Sequence, residues 1–180
     1  MRKALDRLYA ASGFASAFFL VAIFVIVMLQ VCANSLDFVI MLFAGQPIGL
    51  VIPSYAELAG FFLAASSFLG LPYALRRGAH IRVTLVLLWL PKGVRSATTV
   101  FVCAAGAAVC AFLAWYSWVL VLESHEFGDR SPGLLGIPLW IPQTAIAVGA
   151  VILAISLIDS GIRFLIDGSD PACDLGGGGE

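Results

Sequence analysis

"YALRRGAHIRVTLVLLWLPKGVR", Tyr73 to Arg95, holds five of the ten Lys and Arg residues in a chain that is 61% hydrophobic and only 12% charged. What lies on either side explains the cluster. A mean hydropathy of +1.02 over 180 residues means more apolar side chain than a soluble domain of this size can bury, so the chain belongs in a bilayer. A net charge of -1 argues against nucleic-acid binding, which needs a concentrated basic face to displace counterions from phosphates.

Spanning about 30 Å of hydrocarbon takes roughly 20 apolar residues in a helix. Runs of that kind occur at about 13–33, 55–75, 96–122 and 137–166. Backbone N–H and C=O groups find no partners in lipid, so runs this long must be helices; a barrel needs shorter strands of alternating polarity. The expectation is an all-α integral membrane protein with four transmembrane helices. An N-terminal signal peptide is the competing reading of the first run, and its length, well beyond an h-region of ~7–15 residues, favours a retained helix.

Lys and Arg are retained on the cytoplasmic side of a membrane. Arg2, Lys3 and Arg7 precede the first run, the Tyr73–Arg95 cluster separates the second from the third, and Arg163 closes the fourth. Only Arg130 falls on the other side. Both termini are therefore expected in the cytoplasm. Trp115, Trp118 and Trp140 fall toward the outer interface and Trp89 at the inner one, as an aromatic belt requires.

The opening stretch becomes an inner-face loop. Its apolar part, about 81–90, is too short to span and is bracketed by Arg77, Arg82, Lys92 and Arg95, which suits a helix lying in the interface. Arg76, Arg77, His80, Arg82, Trp89, Lys92 and Arg95 are then candidates for contact with phospholipid headgroups, with docking onto a partner's helices as the alternative. On the outer side, residues 34–53 are apolar and read as an interfacial or re-entrant segment ending at Gly45-Gln46-Pro47. The polar, glycine-rich tail 167–180 reads as disordered.

Few residues offer chemistry. Glu57 is an ionisable group inside a span. Ser54-Tyr55-Ala56-Glu57 has capping-box spacing, so Glu57 is read as a helix cap, a partner-subunit contact together with Phe61 and Phe68, or an ion-coupling group. Asp159 and Arg163, four apart, form a candidate intrahelical ion pair near the inner end. Pro138, Trp140 and Pro142 are expected to set the outer start of the fourth helix, because proline is accepted in a first turn. Small-residue stripes at Ala56, Gly60 and Ala64, and at Ala104, Ala107, Ala108 and Ala111, suit close helix packing. His80 and His125 fall on opposite sides and cannot share a haem. The buried serines have no histidine beside them to serve as a base. The four cysteines are scattered in depth. Neither catalysis, nor a metal, nor a cofactor is expected.

The stretches "YAELAGFFLAASSFLGLPYALRRGAHIRV" (Tyr55–Val83) and "SPGLLGIPLWIPQTAIAVG" (Ser131–Gly149) together resemble the small, DctQ-like membrane subunit of tripartite ATP-independent periplasmic (TRAP) transporters. The likeness extends over nearly all of the chain up to Ile166. It implies a non-catalytic scaffold in the bacterial inner membrane that braces a large membrane subunit during sodium-coupled uptake of a carboxylate or sialic acid delivered by a periplasmic binding protein. Two rival readings stand beside it: a free-standing proton-coupled exporter built on Glu57, and the membrane anchor of an electron-transfer complex.

Overall fold

The computed structural model describes residues 2–46, 49–77 and 92–167. These form four helices, α1 (Arg2–Ala44), α2 (Tyr55–Arg76), α3 (Lys92–Glu126) and α4 (Trp140–Asp167). Each is long and apolar enough to cross a membrane. Among the described residues there is no strand, only an isolated bridge between Arg130 and Pro138. The all-α, four-span architecture is the one the sequence predicts.

The helices pack in the order α1, α2, α4, α3, with α2 and α4 in the middle and α1 and α3 on the flanks. This is a layer of helices, not a closed bundle. Bridges from Arg76 on α2 to Asp6 on α1 and Asp159 on α4 bring the start of α1 and the ends of α2 and α4 to one end. The start of α3 joins them there, because Cys103 faces Gly161 near the end of α4. Every Lys and Arg of the four helices lies toward that end, whereas Arg130 lies in the loop at the opposite end.

Helix association in lipid has little hydrophobic drive, so close approach of small residues replaces it. The buried positions follow that rule: Ala65 and Ser66 on α2, Cys103, Ala107 and Ala114 on α3, and Ala147, Ala150 and Ala154 on α4. Three glycines mark the tightest approaches between helices. A methyl on Gly13 would meet the Tyr73 ring at 2.7 Å, one on Gly70 would meet Ser16 Oγ at 2.8 Å, and one on Gly149 would meet the Phe68 backbone at 2.7 Å. Ser16 Oγ also donates to the Ser66 carbonyl at 2.8 Å, tying α1 to α2. Large apolar side chains point outward, Phe14 at 79% and Phe24 at 64% exposure among them. Of the small-residue stripes, Ala107 is buried against α4, while Ala56 and Gly60 are exposed and open.

The first correction concerns α1. Its 43 residues, about 64 Å at 1.5 Å rise, run unbroken past Ala33 to Ala44. Hydropathy falls at Asn34 and Asp37, but from Phe14 onward no Gly or Pro interrupts the helix until Gly45. Gly45 takes the left-handed φ of 74° and donates its N–H to the Met41 carbonyl, a C-cap that glycine alone adopts without strain. Residues 34–44 are therefore helix and not a separate interfacial or re-entrant piece. The chain then returns alongside: Gly49 N–H donates to Asp37 Oδ1 at 3.0 Å, and Ile52 N–H to Gln30 Oε1 at 2.8 Å. The readings at 81–90 and at 168–180 lie outside the described residues.

Candidate functional site

Two polar sites stand out, one at each end of the layer. At the end away from the basic cluster, Ser54 precedes α2 in a left-handed conformation, φ 55° and ψ 23°, and makes no side-chain cap. A capping serine needs extended backbone to aim its oxygen at the first-turn N–H groups, so the predicted capping box does not form. The Leu58 N–H still bonds the Ser54 carbonyl at 3.0 Å and closes the turn.

Freed from that role, the Glu57 side chain turns to the loop between α3 and α4. Its carboxylate lies against Gly133, where any side chain would run into it. Oε2 is buried there with no hydrogen-bond partner among the described residues. The loop keeps its own donors busy: Ser131 N–H bonds the Ile137 carbonyl, Leu139 N–H the Asp129 carbonyl, and Gly133 N–H reaches Ser131 Oγ at 3.4 Å. Beside Glu57 opens a cleft of about 810 Å³, walled by Ala56, Gly60, Phe61, Pro132, Leu134 and Leu139. It is an apolar hollow with a carboxylate at its edge. Phe68 faces elsewhere, packing through its backbone and Cβ on Gly149.

The same loop launches α4. The Arg130–Pro138 bridge closes it, α4 begins at Trp140, and Pro142 occupies the first turn, where its missing N–H leaves no bond unmade. Trp140 stacks edge-on against His125, ring centroids 5.6 Å apart.

At the basic end, Arg76 donates from Nη2 to Asp6 Oδ1 at 2.6 Å and from Nη1 to Asp159 Oδ2 at 3.0 Å. Its guanidinium also lies over the Tyr9 ring, 5.6 Å from the centroid. The planar fork of arginine suits such a double bridge. Arg76, expected at phospholipid headgroups, thus turns inward because two carboxylates on neighbouring helices claim it. Asp159 receives this bond from α2; the side chain of its expected partner Arg163 is outside the described set. Arg77, next in sequence, stays exposed over the Tyr73 ring at 5.3 Å. His80, Arg82 and Trp89 lie outside the described residues, as do the side chains of Lys92 and Arg95.

Sequence reasoning missed Asp6 and Gln30. Each had a visible signal: Asp6 is the one acid before the first apolar run, and Gln30 is a lone amide within it. Gln30 is 4% exposed and holds both Asn34 and the returning chain at Ile52. No group of three His, Cys, Asp or Glu side chains among the described residues is placed to hold a metal.

A protein-family model described as "Tripartite ATP-independent periplasmic transporters, DctQ component" matches residues 48–166, well over half of the chain. The chain belongs to the DctQ family. It is also 32% identical over 99 residues to the ectoine TRAP transporter small permease protein TeaB of Halomonas elongata, a stretch covering 55% of this chain and 51% of that protein. The chain thus spans about half the length of the curated relative it matches. The family match takes in both polar ends of this DctQ component, Glu57 with its loop at one and Arg76 with Asp159 at the other; Asp6 lies outside the matched segment.

Proposed function

We propose that this DctQ component is the small permease subunit of a TRAP transporter in a bacterial inner membrane, a non-catalytic scaffold. It braces a large membrane subunit during sodium-coupled uptake of an organic acid delivered by a periplasmic binding protein. One observation carries the reading: the helices form a single layer whose two broad faces are left uncovered by the described residues, while the polar groups tie helix to helix. Such a layer is suited to supporting a neighbour and is poorly suited to enclosing a solute.

Glu57, with Phe61 beside it, is the proposed contact for that neighbour. A buried carboxylate oxygen without a donor is costly, by roughly 1–3 kcal/mol, until a partner supplies one. Phe68 is proposed to support the same face from within α2.

The test is purification of the tagged chain in mild detergent with its co-expressed operon partners. A companion with many membrane spans is expected, and ectoine, after the relative's name, is the first solute to try in uptake assays of the complex. Glu57→Gln is expected to weaken uptake and co-purification together. Ion-coupled uptake by this chain alone in liposomes, abolished by Glu57→Gln, would establish the exporter instead.

A further inference from the structure

At the basic end, a groove of about 320 Å³ runs between α1 and α2, formed by Ala10, Gly13, Phe14, Ala17, Tyr73 and Arg77. We infer that it is a binding site for one anionic phospholipid of the inner leaflet, its phosphate held by Arg77 and Arg7 and an acyl chain lying along Ala10, Gly13 and Ala17.

The two adjacent arginines have different fates. Arg76 is neutralised by Asp6 and Asp159. Arg77 has no carboxylate partner among the described residues, and the Tyr73 ring beneath it holds its guanidinium at the groove's mouth. Arg7, also exposed, stands three residues before Ala10 and seven before Phe14, on the same side of α1. Two cations without a carboxylate partner among the described residues therefore sit where the apolar floor begins. Arginine's planar fork pairs with phosphate as it does with carboxylate, so a lipid headgroup phosphate is a suitable partner for both cations.

The dimensions select a lipid over a free phosphate. From Arg7 to Ala17 is ten residues, roughly 15 Å along the helix, or half of the ~30 Å hydrocarbon core. That is the depth of one leaflet. Close packing of Gly13 on the Tyr73 ring makes the floor, and Phe14, 79% exposed, forms an outer wall.

The site is tested with the purified full chain in phosphatidylcholine bilayers containing spin-labelled phosphatidylglycerol or spin-labelled phosphatidylcholine. Preferential immobilisation of phosphatidylglycerol is expected, and each arginine should contribute roughly a fivefold preference. Arg7→Gln with Arg77→Gln should erase the preference, whereas Arg130→Gln, at the other end, should leave it intact. Ala17→Phe fills the groove with both cations in place and should also lower phosphatidylglycerol binding. Equal immobilisation of the two lipids, a preference surviving the double arginine variant, or no effect of Ala17→Phe would each overturn the proposal. So would displacement of the lipid by millimolar inorganic phosphate, or a photocrosslinker at residue 17 that captures a polypeptide instead of phospholipid in intact membranes.

Discussion

Arg76 is the residue at which three helices meet, and its two carboxylates are not equivalent. The Asp159 side chain is 19% exposed and that of Asp6 52%. A charge-assisted bond strengthens as water is excluded from it, so Asp159→Asn should destabilise the protein more than Asp6→Asn. Arg76→Gln, which leaves the more buried carboxylate without its α2 partner, should cost roughly 1–3 kcal/mol. Thermal unfolding in detergent measures all three; equal effects of the two aspartate variants would show that burial does not set the strength of the bridge. Gln30 is the corresponding residue at the far end of α1. Gln30→Leu should loosen the returning segment, detected as faster amide exchange at Ile52, whose N–H loses its acceptor.

Helix α2 is shaped by one proline and one glycine that belongs to another helix. Pro72, fully buried, has no N–H to give the Phe68 carbonyl four residues earlier. Gly149 of α4 lies against that same carbonyl, close enough that a Cβ would sit 2.8 Å from its oxygen. The bare Cα of glycine allows this close approach beside the carbonyl that Pro72 leaves without its helix bond. Gly149→Ala would push backbone against backbone, which cannot yield as a side-chain tip can, so destabilisation of roughly 1–3 kcal/mol is expected. Gly60→Ala is the control on the same helix pair. Nothing lies within 4 Å of its added methyl, and it should be neutral or stabilising by up to ~1 kcal/mol through helix propensity. A ranking reversed in unfolding experiments would show that this contact does not set the α2–α4 distance.

At the scale of the whole molecule, the α1–α2–α4–α3 layer leaves apolar surface that none of the described residues covers, including the open Ala56–Gly60 side of α2. If that side receives a partner, Gly60→Trp should leave the isolated chain's unfolding midpoint unchanged and reduce the amount of large subunit that co-purifies. Unchanged co-purification would move the interface to another face.

The sequence by itself determined the class, the number of spans and the end at which the charges gather. These depend on solvent: uncharged runs of spanning length have one home, and Lys and Arg mark where they emerge. The resemblance carried by Tyr55–Val83 and Ser131–Gly149 placed the family as well. Only the tertiary structure decided which helices are neighbours, that α1 continues to Ala44, that Ser54 fails to cap Glu57, and that Arg76 turns inward while Arg77 stays out. Adjacent arginines are identical to any reading of composition or periodicity. What separates them is a turn of about 100° around the helix, which aims one at carboxylates 70 and 83 residues distant in the chain and leaves the other at the surface.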